Sequence, residues 1–117
     1  MTFEIVKIGT DKYTEVLADA NKTNISSPNF AVRAKATGKI LADIHFQDGP
    51  VKEKGINGVA NEDLIVMVMH RLNQFQDSDY ACKENADAVR HLQSALDSLR
   101  ARTNKRVQRG VEGTSVK

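Results

Sequence analysis

Residues 57–110, NGVANEDLIVMVMHRLNQFQDSDYACKENADAVRHLQSALDSLRARTNKRVQRG, decide the fold of this chain of 117 residues. Apolar residues recur in this stretch at spacings of three and four, which predicts two amphipathic helices folded back on each other, with the turn near residues 77–79. The apolar stripe of the first helix consists of Leu64, Ile65, Val68, Leu72 and Phe75. The stripe of the second consists of Val89, Leu92, Leu96, Leu99 and Thr103.

Capping signals place the ends of the two helices. Asn61 is predicted as the N-cap of the first helix, and Ser78 or Asp79 as that of the second. Four cations followed by Gly110 predict the end of the second helix. The helices would then be roughly 22 Å and roughly 45 Å long, at about 1.5 Å per residue. Because the shorter cannot cover the longer, we expect the N-terminal half or a second copy of the chain to do so.

The N-terminal half alternates apolar and polar residues, which predicts strands at 3–9, 13–19, 30–36 and 39–46, with one apolar face. Residues 20–29 and 47–60 are predicted as loops, and the tail after Gly110 is expected to be loose unless a partner holds it. The predicted fold class is α+β in a single domain, residues 1–117. It consists of an N-terminal antiparallel β-meander (1–48) packed on a C-terminal antiparallel helical hairpin (57–110) with a long second helix.

Composition limits the classes of function. The formal net charge of +2 argues against a general nucleic-acid coat or a membrane-surface protein. Apolar runs stay well short of the roughly 20 residues that a membrane span needs. The stretch MTFEIVKIG lacks the pattern of a signal peptide, and the single cysteine, Cys82, cannot form an intrachain disulfide. Together these features predict a protein of the reducing cytoplasm.

Nothing in the sequence argues for catalysis. His45, His70 and His91 share no metal-ligand spacing, and Cys82 has no base at a known catalytic spacing. The chain also lacks a phosphate-binding glycine loop and a paired-carboxylate signature. We therefore expect neither a metal nor a cofactor, and a protein that is not an enzyme.

Two groups of residues each allow a structural and a functional interpretation. Phe75 and Asn85 flank the turn; they are either a core residue and a solvated one, or an aromatic face and an amide that bind a purine. The basic run that includes Arg102, Arg106 and Arg109 either complements the C-terminus of the helix or binds phosphates.

Residues 49–114 resemble the helical-hairpin domain of phage sponge proteins. The resemblance rests on GINGV, NEDL, RLNQFQ, the helix start ACKENADA, and the closing RARTNKRVQRGVEGT. Two related families carry this hairpin: anti-CBASS sponges, mostly the hairpin alone, and Thoeris anti-defence sponges, which have a β-sheet in front of it. The N-terminal meander makes this chain similar to the second family.

The resemblance implies a function that involves binding without cleavage. Thoeris anti-defence sponges capture cyclic ADP-ribose isomers, and some also bind cyclic oligonucleotides. It implies a phage protein that acts in the cytoplasm of the infected bacterial host, needs no cofactor, and sequesters such a messenger. By similarity, the ligand contacts are Phe75, Asn85, Arg102, Arg106 and Arg109, with Arg33 as a weaker candidate.

The implied contacts cannot all come from one chain: either the arginines do not touch the ligand, or they come from a neighbouring chain. Arg102 is 17 residues beyond Asn85, roughly 25 Å along a straight helix. A two-fold pair of antiparallel long helices would bring the basic end of one beside the turn end of the other. We therefore expect a homodimer, which leaves open further assembly into a hexamer as a trimer of dimers. One alternative is a small nucleic-acid-binding or regulatory module that uses the same arginines on phosphates of DNA or RNA. A further alternative is a purely structural oligomerisation module, which would bind no small ligand.

Overall fold

The computed structural model describes residues 3–6, 12–19 and 28–117. Its elements in chain order are β1 (Phe3–Val6), β2 (Thr14–Asp19), β3 (Asn29–Ala34), β4 (Ile40–His45), α1 (Val51–Lys54), α2 (Asn61–Gln76) and α3 (Lys83–Gln108). They form two compact units: a sheet unit of Met1–Asp48 with Ile56–Val59, and a hairpin unit of Gly49–Gly55 with Ala60–Lys117. The α+β class with its long last helix is confirmed. The single domain and the packing of the sheet on the hairpin stay predictions.

The sheet is an antiparallel meander in the order β1-β2-β3-β4, as the alternating runs predict. Leu17 on β2 lies opposite Ala31 on β3, and these two side chains are the most buried of the described sheet, at 6% and 2% exposure. Their neighbours Val16 and Val32 point to the other face and are half-buried. The described sheet thus carries apolar residues on both faces, and the expectation of one apolar face was wrong. The strand end at 7–9 and the loop at 20–27 lie outside the described residues.

The segment 56–59 closes the sheet unit after β4. The Val59 amide donates to the carbonyl oxygen of His45 at 2.9 Å, and the Asn57 side chain pairs with both backbone groups of Asp48 at 2.8 Å. A Cβ atom on Gly58 would lie 2.5 Å from the backbone carbonyl carbon of Phe46, closer than real contacts allow. The Asn-Gly pair of the GINGV motif therefore has a structural reason. The Asn57 side chain binds the backbone of Asp48, and the absence of a side chain on Gly58 allows the backbone to lie close to Phe46.

The predicted loop 47–60 contains a helical turn, α1, which the prediction missed. The Lys54 amide donates to the carbonyl oxygen of Pro50 at 2.8 Å, and the Lys52 amide donates to the carbonyl oxygen of Gly113 at 2.8 Å. The second bond joins α1 to the C-terminal tail. Composition suggests a loop because Gly and Pro flank this stretch, but the hydrogen bond from Lys52 to Gly113 stabilises the helical turn α1.

α2 begins one residue earlier than its predicted N-cap implies, whereas α3 begins later than predicted. α2 begins at Asn61, but its N-cap is Ala60, whose amide donates to the Asp63 carboxylate at 2.8 Å. α3 begins at Lys83, and its N-cap Cys82 accepts the Asn85 amide on its sulfur at 3.4 Å. Neither predicted cap of the second helix is used as one, since both residues lie in the turn.

The turn between α2 and α3 is held by side chains that bond to backbone. The Gln76 amide pairs with Cys82: its Nε2 donates to the carbonyl oxygen at 3.0 Å, and its Oε1 accepts the backbone N–H at 2.9 Å. The Ser78 hydroxyl donates to the carbonyl oxygen of Phe75 at 2.6 Å and accepts the Tyr80 amide at 3.1 Å. These bonds fix the chain between the helices, so the second helix starts four residues after Asp79.

The hairpin buries little of its apolar surface. The predicted stripe of α3 is confirmed, with Leu96 buried at 3% exposure and its other members half-buried. In α2 no residue is buried, and Val68, which was predicted to lie in the core, is 48% exposed beside the more exposed Met67. The hairpin thus leaves apolar side chains of α2 uncovered, and the prediction that Val68 lies in the core was wrong.

Candidate ligand site at the helical turn

A cavity of about 340 Å³ lies at the turn end of the hairpin. Its lining residues, from the last turns of α2 and from the connection, are Arg71, Gln74, Phe75, Ser78 and Tyr80. The volume lies at the lower end of the roughly 300–1,000 Å³ typical of small-molecule sites. Two aromatic rings, an amide, a hydroxyl and a guanidinium face the same space, which suits a ligand with a flat ring and polar or anionic groups.

Phe75, a sequence-predicted site residue, lines this cavity together with Arg71, which was not predicted. Arg71 lies one helical turn before Phe75, with its guanidinium carbon 5.3 Å from the centre of the ring. That distance is within the range of a cation–π interaction. The i,i+4 spacing on a predicted helix was the signal that could have found this pair.

Asn85 lies in the first turn of α3 and is half-buried. Its backbone amide caps the helix on Cys82. Its side-chain amide has no hydrogen-bond partner among the described residues, so it is available to a ligand. Asn85 is not among the residues that line the cavity, and the structure therefore does not bring it together with Phe75 in one described pocket.

An ionic cluster follows at the start of α3. The Asp87 carboxylate bonds to Lys83 at 2.6 Å and to Arg90 at 2.9 Å. The hydrogen bond from Lys83, followed by that from Arg90, lowers the pKa of Asp87 below its ordinary value. The Asp87 carboxylate is therefore ionised at neutral pH, and its single negative charge is shared between the two cations.

Two of the predicted phosphate-binding arginines hold the C-terminal tail. The Arg106 guanidinium donates to the carbonyl oxygens of Val111 and Thr114 at 3.0 and 3.1 Å, and that of Arg109 donates to the carbonyl oxygen of Lys117 at 2.7 Å. The tail was expected to be loose unless a partner held it. Instead, residues of its own chain bind it.

The tail also contacts α1. Its Gly113 carbonyl accepts the Lys52 amide, and its Ser115 amide donates to the Glu53 carboxylate at 2.7 Å. Arg106 is only half-buried, but it bonds to two carbonyl groups of this small assembly. Its position therefore gives it a structural task in the isolated chain, whatever else it binds.

The remaining predicted arginines differ from these two. Arg102 is exposed and has no hydrogen-bond or ion-pair partner among the described residues. Arg33 lies in the sheet unit, directly opposite Glu15, and its guanidinium contacts that carboxylate at 2.8 Å. Arg33 is therefore already paired, whereas Arg102 is available to an anion.

No group of three or more His, Cys, Asp or Glu side chains among the described residues is placed to hold a metal ion. None of the helices in the described part of the chain is both long and apolar enough to cross a membrane.

Comparison with known proteins relates this chain to one family. The family model described as "Acb2/Tad1, hairpin domain" matches residues 38–103. A protein of Bacillus phage SBSphiJ7, named "Thoeris anti-defense 1", is 57% identical to this chain over 77 residues, which are 66% of the chain and 54% of the relative. The chain thus spans about half the length of the curated relative that it matches. The matched region includes α2, the turn with its cavity, and most of α3.

We predict that Arg106→Gln loosens the tail. A hydrogen bond from a charged group contributes about 1.5–3 kcal/mol, less where water reaches it. The backbone amides of Thr114 and Lys52 should therefore exchange hydrogen roughly tenfold faster, a ratio that corresponds to about 1.4 kcal/mol of local opening free energy. Hydrogen exchange followed by NMR measures both amides. Arg102→Gln is the matched control and should leave them unchanged; unchanged exchange in the Arg106 variant would contradict the structural role.

Proposed function

This chain belongs to the Acb2/Tad1 hairpin-domain family, and we propose that it is a phage anti-defence sponge. It binds a nucleotide messenger of bacterial immunity in the cytoplasm of the infected host and holds it without cleaving it. The proposed ligand is a cyclic ADP-ribose isomer of the Thoeris type, and cyclic oligonucleotides are a second class. The observation that carries the proposal is the cavity at the helical turn, which combines aromatic rings with a guanidinium inside the matched region.

The chemistry of the cavity fits this class of ligand. A cyclic ADP-ribose isomer consists of a purine, two riboses and a pyrophosphate. Aromatic rings stack on purines, amides bond to purine edges, and guanidinium groups bind phosphate oxygens. In this chain the ring of Phe75, the amide of Gln74 and the guanidinium of Arg71 offer these three contacts from one face of α2.

A sponge must bind tightly enough to compete with the receptor of its messenger. A nanomolar dissociation constant corresponds to about −12 kcal/mol. The Gln76 and Ser78 bonds fix the backbone of the turn before any ligand arrives. Such preorganisation lowers the entropy that binding would otherwise cost.

Capture without turnover is the expected result for the purified protein. The protein is incubated with cyclic ADP-ribose isomers and with cyclic dinucleotides, washed and heat-denatured, and chromatography identifies what is released. We expect an intact messenger, because no base–nucleophile pair lies among the lining residues. Phe75→Ala and Asn85→Ala should release none while circular dichroism stays unchanged. A linear product from the wild-type protein would contradict the sponge.

The same sample separates the sponge from a nucleic-acid-binding module. A protein that neutralises many phosphates loses affinity steeply with salt, whereas a pocket that holds one pyrophosphate shows a shallow slope. The affinity for the captured messenger is therefore measured at several salt concentrations, beside that for a DNA duplex. Tight, strongly salt-dependent binding of the duplex with no capture of a messenger would favour the alternative.

We further propose a homodimer in which each pocket is shared. Arg102 is exposed and lacks a partner in the described chain, yet it lies roughly 25 Å from Asn85 along α3. It can reach the turn-end pocket only from a second chain. The exposed side chains of Met67 and Val68 supply apolar surface that a partner would cover.

Complementation tests this shared pocket. Phe75→Ala and Arg102→Ala homodimers should each fail to capture the messenger. Mixed dimers, formed by refolding the two together, should regain one pocket of two, because the other carries both defects. Native mass spectrometry confirms that mixed dimers form. If they form and bind nothing, or if Arg102→Ala alone binds like the wild type, the shared pocket is wrong.

A further inference from the structure

Arg71 differs from most other arginines of the described hairpin unit because its guanidinium donates no hydrogen bond to a described residue. Arg90 is paired with Asp87, and Arg106 and Arg109 donate to tail carbonyl groups. Arg71 has no hydrogen-bond or salt-bridge partner among the described residues, although Asp77 and Asp79 lie in the adjacent turn. Its guanidinium therefore lines the cavity with its N–H donors available.

Phe75 orients this guanidinium. With the Arg71 Cζ atom 5.3 Å from the ring centre, the cation is held against the aromatic surface. A guanidinium carries five N–H donors in a planar fork, and that geometry matches two oxygens of a phosphate. The Phe75 ring thus positions the guanidinium donor within the cavity.

The cavity is of a size for part of a nucleotide. The cavity has a volume of about 340 Å³. Gln74 also lines it, beside Arg71 and Phe75, and the Gln74 amide can form hydrogen bonds with the edge of a purine. A base and its nearest phosphate would thus meet an amide, an aromatic ring and a cation from residues 71–75 alone. No second chain is needed for this first set of contacts.

We infer that Arg71 is the phosphate-binding residue that each protomer supplies to its own cavity, oriented by its stack on Phe75. The inference rests on the proposed capture of a nucleotide messenger and adds a residue to it. Arg102 of a second chain would then bind the remaining charge of the pyrophosphate. The structural alternative is that Arg71 only shields the Phe75 ring on the helix surface.

Three variants of Arg71 distinguish these roles. Arg71→Met keeps a long stem and a favourable sulfur–aromatic contact over the ring but removes the charge. Arg71→Lys keeps the charge but loses the fork. Calorimetry with the cyclic ADP-ribose isomer that the wild-type protein releases intact should give roughly 10- to 100-fold weaker binding for Arg71→Met and an intermediate loss for Arg71→Lys. Arg90→Gln, an arginine of the same unit outside the cavity, is the control and should change affinity less than twofold.

A second probe identifies the part of the ligand that Arg71 binds. Adenosine has the base and one ribose but no phosphate, and its weak binding is followed by NMR titration. We expect its affinity to differ less than twofold between the wild type and Arg71→Met. Equal losses for adenosine and the messenger would mean that Arg71 acts through Phe75, which overturns the inference.

The outcomes also separate this inference from the proposed function. If the wild type captures a messenger and Arg71→Met binds it as tightly, the inference is wrong and the sponge stands. If the wild type captures none of the cyclic ADP-ribose isomers or cyclic dinucleotides, the proposed function fails and the inference fails with it.

Discussion

The pairing of the Gln76 side chain with the backbone of Cys82 is the interaction on which the candidate site depends. It joins the last residue of α2 to the N-cap of α3 and so sets where the second helix begins. Without it, the backbone N–H of Cys82 would need water or another partner, whereas the carbonyl oxygen would keep the Ala86 amide as its donor. Ser78 closes the turn on the same side of Phe75 by donating to its carbonyl group. The backbone of the turn beside the cavity is therefore fixed by hydrogen bonds from the side chains of Gln76 and Ser78.

The arginines of the hairpin divide into those that stabilise the chain and those that remain available to a ligand. Arg106 and Arg109 bind carbonyl groups of the tail, and the tail in turn bonds to α1 through Gly113. The basic run at the end of α3 thus contains arginines that bind the tail, and it also contains Arg102, whose guanidinium has no partner among the described residues. The guanidinium donors that remain among the described residues of the hairpin are Arg71, near the turn end of α2, and Arg100 and Arg102, toward the far end of α3. This separation is the physical reason why we propose a pocket that uses two chains.

Periodicity predicted most of the fold. The spacing of Leu92, Leu96 and Leu99, for example, fits one buried face of a helix and does not fit a strand. The prediction from sequence failed where a hydrogen bond to another part of the chain decides the local structure. Cys82, and not Ser78 or Asp79, caps α3, since Gln76 reaches across the turn, and α1 forms because a residue 61 positions away accepts the Lys52 amide. For the site, Phe75 was predicted from its position at the turn, whereas Arg71 was missed because only its spacing to Phe75 marks it. The tail bonds of Arg106 could not be predicted, since no local pattern specifies which carbonyl groups a guanidinium will find.

The most direct test of the account is a crystal structure of the protein with a bound cyclic ADP-ribose isomer. Our proposal puts the ligand in the turn-end cavity of the hairpin and not on the sheet unit. The account predicts a purine stacked on the ring of Phe75, with phosphate oxygens within hydrogen-bonding distance of the Arg71 guanidinium. A ligand bound on the sheet unit beside Arg33, or one at the hairpin that leaves Phe75 without contact, would contradict it.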